Sequence, residues 1–124
     1  MAKVKSPYIG TELKFNVHIE PIKANIGLET EYTISMADYD FTCWFFTNEK
    51  YKIEIKKEQM IAYDTDNYIA LLDTTELVYE GQIMMLIEAQ IPDSDFADGF
   101  RTEKILVNTK QNIYNELFSF WYYN

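Results

Sequence analysis

One segment gathers residue types that could do chemistry: "IPDSDFADGF" at positions 91–100, where Asp93, Asp95 and Asp98 stand ahead of Gly99. Carboxylates this close offer two chemistries, ligation of a hard cation through oxygen or acid–base work by a carboxyl pair. A calcium loop of the EF-hand kind places oxygen ligands at positions 1, 3 and 5, a glycine at 6 and a bidentate glutamate at 12. Counted from Asp93, the acids fall at 1, 3 and 6, the glycine at 7, and Lys104 at 12. The register does not fit. A looser cation loop of Asp93, Asp95 and Asp98 stays as the metal alternative to a plain acidic turn. In the plain reading Pro92 ends a strand, Asp and Ser bond their own backbone, and Gly99 supplies positive φ. Phe96, between the acids, then reads as the apolar anchor of the loop.

The other reactive side chains are solitary. His18 is the single histidine and takes an outward position in an alternating segment, where a solvated imidazole is the ordinary state. Cys43 is the single cysteine, which removes an internal disulfide and a zinc finger; it alternates with Phe41 and Phe45, the setting of an inert core thiol. Four scattered glycines, Gly10, Gly27, Gly81 and Gly99, make no phosphate loop. Twenty acidic residues supply many accidental carboxylate pairs, so no pair stands out as a catalytic couple. The expectation is no enzyme and no cofactor.

Charge narrows the partners. A net charge of -9 opposes binding to nucleic acid and docking on anionic lipid, both of which need a basic surface. The longest apolar run, "IMMLI" at 83–87, is far short of a bilayer span. "MAKVKSPYIG" has two lysines but no apolar run after them, so no secretory leader is expected and synthesis in a reducing cytoplasm is.

These residues must be held by strands, because period-two alternation dominates. In "ELKFNVHIE", Leu13, Phe15, Val17 and Ile19 share one face, with Lys14, Asn16 and His18 on the other. "EYTISM" repeats the pattern with Tyr32, Ile34 and Met36. "DFTCWFF" sets Phe41, Cys43 and Phe45 against Trp44 and Phe46, so this strand is expected to be covered on both sides. "YKIEIKK" turns Tyr51, Ile53 and Ile55 inward and its charges outward; such charges suit a sheet edge. "NYIALLD", "QIMMLIEAQI" and "TEKILVN" complete seven strands, with turn chemistry in "TNEK", "YDTDN" and "PDSDFADG". An all-β antiparallel sandwich or barrel, one domain over 1–124, follows.

Two segments break the alternation. "DTTELVYEG" offers Asp73 as an N-cap, Glu76 three positions on and Gly81 as a stop, so a short helical turn is expected near 74–79. In the tail, "NIYNELFSFWYYN", Ile113, Leu117, Phe120 and Trp121 follow helical spacing, and a helix is preferred over a last strand. Phe118, Trp121, Tyr122 and Tyr123 form an aromatic terminus that must bury somewhere, on its own sheets or on a partner, where Trp and Tyr are favoured anchors. Sugar stacking on the rings is a further use.

The order "DFTCWFF … YKIEIKKEQM … NYIALLDTTEL … EGQIMMLIEAQIPDSDFADGFRTE", with "YIGTELKF" before it, resembles small immunoglobulin-like β-sandwich proteins of phages and prophages of gut Bacteroidetes, crAss-like phages among them. It is also similar in strand–turn–strand logic to the immunoglobulin-like N-terminal domain of phage baseplate upper proteins. The resemblance spans about 8–109 and leaves the tail, 110–124, outside. It implies an immunoglobulin-like sandwich of about seven strands and a non-catalytic virion component of tail, baseplate or capsid surface. The implied partners are other virion subunits or further copies of the chain, after synthesis in the host bacterial cytoplasm. The alternative is a module binding carbohydrate through its aromatics or calcium through its aspartates.

Overall fold

A computed structural model describes residues 6–25, 27 and 32–115. The aromatic tail residues Phe118, Trp121, Tyr122 and Tyr123, and the helix expected there, lie outside the described residues. The chain is all-β. Its strands are β1 (Glu12–His18), β2 (Ile22–Ala24), β3 (Tyr32–Ile34), β4 (Asp40–Phe46), β5 (Ile53–Lys56), β6 (Ile61–Asp64), β7 (Asn67–Asp73), β8 (Gly81–Pro92) and β9 (Phe100–Ile113). All strand pairs are antiparallel: β1–β7–β6 form one sheet, β5–β4–β8–β9 another, and β2–β3 a separate hairpin.

The two larger sheets meet face to face through the alternating apolar residues. From β4, Phe41, Cys43 and Phe45 point inward, and from β8, Ile83, Met85, Ile87, Ala89 and Ile91. They meet Val17 of β1 and Tyr68, Ala70 and Leu72 of β7. Phe15 packs on Phe45 with ring centroids 5.0 Å apart, and Phe41 meets the edge of Tyr68 at 5.2 Å. Each fully buried large apolar side chain contributes about 1.5–3 kcal/mol, so the alternation holds the sheets together. Lys57 adds a polar strut: its Nζ donates to the carbonyls of Met36, Ala37 and Tyr39 and lies over the Phe41 and Tyr68 rings.

The expected seven strands are present, and two more accompany them. β6 shows no alternation, since every residue in it is exposed. Its pairing follows from the turn, where Asp64 Oδ1 accepts from the Asp66 N–H at 2.9 Å and from Asn67 Nδ2 at 2.9 Å. β2 is three residues paired with β3, too short to carry a period. The strand expected through Met36 stops at Ile34: Asp38 Oδ2 accepts from the Ser35 N–H at 2.9 Å and turns 36–38 into a 3₁₀ turn. Tyr32, expected inward, is exposed.

The helical turn is a 3₁₀ turn, Thr74–Leu77, capped by Asp73, whose Oδ1 accepts from the Thr75 N–H at 3.0 Å. It crosses from β7 in one sheet to β8 in the other. Gly81 does not end it. Val78 does, with φ 69°, and the Tyr79 N–H donates to the Leu77 carbonyl in a three-residue γ-turn. Of the expected helical set only Ile113 is among the described residues, and it is corrected to a strand residue. Ile113 is the last residue of β9, opposite Gly81 and fully buried, because a bulge at Lys110 (φ 60°) lets the ladder resume after Asn108.

Candidate functional site

Between β8 and β9 the chain reverses through two backbone bonds: the Asp93 N–H donates to the Gly99 carbonyl at 2.8 Å, and the Gly99 N–H to Phe96 at 2.9 Å. Gly99 has φ 84°, the conformation expected of it. The three aspartates do not converge. Asp93 is 8% exposed; its Oδ2 accepts from Arg101 Nη1 at 3.1 Å and its Oδ1 from the Asp95 N–H at 3.0 Å. Asp95 accepts from Asn25 Nδ2 at 3.1 Å, and Asp98 from the Phe100 N–H at 3.2 Å. Among the described residues no group of three or more His, Cys, Asp or Glu side chains is placed to hold a metal ion. Phe96 is 51% exposed and anchors nothing, since backbone bonds already define the turn.

Arg101 is the residue that sequence reasoning missed here. Its Nε donates to Glu103 at 3.1 Å and its Nη2 to the Lys23 carbonyl at 2.8 Å, so one guanidinium joins β9, the turn and the β2–β3 hairpin. The signal was present in "FRTE", where Arg101 and Glu103 share the inward side of the strand. The Asn25 N–H to the Pro92 carbonyl (3.1 Å) and the Ser94 N–H to the Asn25 carbonyl (2.8 Å) fasten the same junction. The cluster is a structural clasp.

The solitary residues stand as expected. Cys43 is fully buried and its thiol is pushed up to about 12 by burial, so thiolate chemistry is suppressed. His18 lies on the outer side of β1, its Nδ1 2.8 Å from the Asp66 carbonyl oxygen and its Nε2 3.3 Å from Glu20. The Asp66 bond first, and then Glu20, raise its pKa.

The outer face of the four-stranded sheet is the more unusual surface. Cross-strand register aligns Trp44 of β4 with Leu86 of β8, and Leu86 with Leu106 of β9. The next row aligns Phe46 with Met84. Phe46 is nearly covered, with Lys52 Nζ 5.3 Å above its ring, so the expected double-sided cover of β4 holds there. Trp44 is half-buried, and Leu106 is 60% exposed. An apolar row thus runs from the middle of the sheet to its rim. There, among the described residues, β9 pairs only with β8, and its other edge is met only beyond the strand's end, where Tyr8 bridges Tyr114.

The outer face of the three-stranded sheet is more broken. Ile61, Tyr63 and Leu71 are exposed there, but Lys14, Asn16 and His18 stand beside them on β1. A shallow cavity of about 290 Å³ lies among Lys14, Phe15, Asn16, Tyr63 and Ile69. At one end of the molecule the exposed rings of Tyr51 and Tyr79 lie 5.6 Å apart. No helix among the described residues is long and apolar enough to cross a membrane. Comparison with protein-family models, with curated proteins and with solved structures gives no match to this chain.

Proposed function

We propose that the chain is a non-enzymatic structural component of a phage or prophage virion, working through contacts with other protein subunits. The observation that carries the assembly part is the uncharged row Trp44–Leu86–Leu106, which reaches the rim of a sheet whose last strand, among the described residues, pairs on one side only. Contiguous apolar surface of this kind marks contact sites, and Trp is a favoured anchor in them. The virion part rests on the sequence resemblance. Strand order fits the sandwich that the resemblance implies: β1–β7–β6 against β5–β4–β8–β9 has the order B–E–D against C′–C–F–G of an immunoglobulin-like sandwich, and the parallel Tyr8–Tyr114 bridge sits where a first strand would meet G. In this reading the sandwich is a rigid spacer, and the aromatic terminus with Phe118, Trp121, Tyr122 and Tyr123 adds contacts to a neighbour.

Two measurements test the reading. Particles purified from a producing culture should carry the chain through a density gradient, detected by mass spectrometry. A chain recovered only in the soluble fraction overturns the virion assignment. Deleting 118–124 should weaken incorporation while the remaining domain still unfolds cooperatively. Loss of cooperative unfolding would instead make the tail part of the core. The paired Tyr51 and Tyr79 rings favour carbohydrate stacking as a second reading, checked by titrating oligosaccharides against tyrosine fluorescence.

A further inference from the structure

We propose that β9 pairs edge to edge with β9 of a second copy of this chain, antiparallel, with Leu106 on the two-fold axis. The inference deepens the assembly reading and rests on its premise that the chain acts through subunit contacts. Among the described residues no strand pairs with the outer edge of β9, and such an edge presents a row of N–H and C=O groups that pairing completes. β9 is the longest strand of the molecule, at 14 residues.

Among axes at 103–107, around the exposed Leu106, self-complementarity selects the register. With the outer faces of both copies on one side of the joined sheet, a two-fold axis passes through a single residue, and positions equally far from it oppose each other. An axis at Glu103 or Lys104 sets like charges directly opposite. An axis at Val107 opposes Lys104 to Lys110, and one at Ile105 opposes Lys104 to Leu106 and Glu103 to Val107. With Leu106 on the axis, Leu106 meets its own copy, Ile105 meets Val107, Lys104 meets Asn108, and Glu103 meets Thr109. No like charges oppose, and apolar meets apolar on both faces. Lys104, the one lysine within 103–109, already stands beside Glu88 of β8. The row Trp44–Leu86–Leu106 then continues into Leu106–Leu86–Trp44 of the second copy, covering the 60% exposed Leu106. The bulge at Lys110 ends the ladder before it reaches the Tyr8–Tyr114 bridge.

Sedimentation velocity on the full chain should show a monomer–dimer equilibrium. Leu106→Lys, which opposes two lysines on the axis, should weaken it about a hundredfold while leaving the circular dichroism spectrum unchanged. Cys43 is buried, so a cysteine introduced at 106 is the accessible thiol. Leu106→Cys under a mild oxidant should form a disulfide-linked dimer, because directly opposed Cβ atoms lie within bonding reach. Thr102→Cys, opposed to Lys110 in this register, should not. A wild-type chain that stays monomeric from micromolar to near-millimolar concentration overturns the proposal, as does equal cross-linking of the two variants. A dimer absent from purified particles breaks the virion reading and leaves the pairing intact. A particle-borne chain that is monomeric in solution and gives no cross-link at 106 does the reverse.

Discussion

The acidic turn and the outer row of the four-stranded sheet are opposites in composition and in availability. The turn concentrates charge, yet each of its aspartates already accepts a hydrogen bond from a nearby group, and Asp93 is buried against Arg101. The row carries no charge, and its outermost member, Leu106, is 60% exposed on the strand that forms the rim among the described residues. A conspicuous cluster of reactive residue types is therefore bound up in holding the fold. The ordinary-looking leucines are the ones left to meet something else. Burial and hydrogen-bond satisfaction decide between the two, because a satisfied polar group gains little from a new partner while exposed apolar area gains from any cover.

Breaking the clasp should give the largest effect on stability. Asp93→Asn removes the carboxylate from a guanidinium that is mostly shielded from water and should cost about 2 kcal/mol, reduced from the fully buried case because Arg101 keeps some exposure and its Glu103 partner. Urea unfolding should show it as a lower midpoint at constant slope. An unchanged midpoint would mean that the clasp holds nothing. The cap of the 3₁₀ turn should rank next. Asp73 has its pKa lowered by hydrogen bonds from Thr75, first from the side chain and then from the backbone, and Asp64 by bonds from Asn67 and Asp66. Both carboxylates therefore stabilise the fold above the usual aspartate range and lose that contribution as pH falls through their lowered values. Melting temperature should drop on the acid side, and Asp73→Ala should flatten that limb; an identical acid limb in the variant would remove Asp73 from it.

His18 has the opposite sign. Its raised pKa makes its contribution complete below the ordinary histidine value and lost as pH rises through the folded one. His18→Gln should erase a small decline in stability across that window, read from melts at closely spaced pH. The smallest effect sharpens the contrast inside the turn itself. Phe96→Ser, at an exposed side chain next to Asp95, whose N–H donates to Asp93 Oδ1, should change stability by under about 0.5 kcal/mol. A larger loss would restore Phe96 as an anchor. Added calcium at millimolar concentration should leave the melting temperature where it is, and an upward shift would return the aspartates to candidacy as a cation site.

Most of the strands were legible locally, and the reason is the pleat. Successive side chains point to opposite faces, so alternation in "ELKFNVH", "DFTCWFF" and "QIMMLIEAQI" names both the strand and its inward set. β6 was not legible, because it has no buried face and owes its pairing to Asp64 and Asn67 in the turn. The continuation of β9 to Ile113 was hidden because Thr109, Lys110, Gln111 and Asn112 are all polar and carry no apolar period, although exposure still alternates through them. In the candidate sites, the isolation of Cys43 and the wrong calcium register could be read directly. The partner of Asp93 could not, since the inward side that Arg101 shares with Glu103 does not say which other acid the guanidinium meets.

By itself, then, the sequence determined an all-β chain, the inward faces of its main strands and the turn at 93–99, since each depends on residues within a few positions of one another. Tertiary structure decided which strand lies at the rim, and that Trp44, Leu86 and Leu106 fall in one row. It also decided that Asp93 is spent on Arg101 and Asp95 on Asn25. The physical reason is that a period of two tells which way a side chain points and is silent about its neighbour across the sheet. That neighbour is chosen by strand order and register, which belong to the folded chain as a whole.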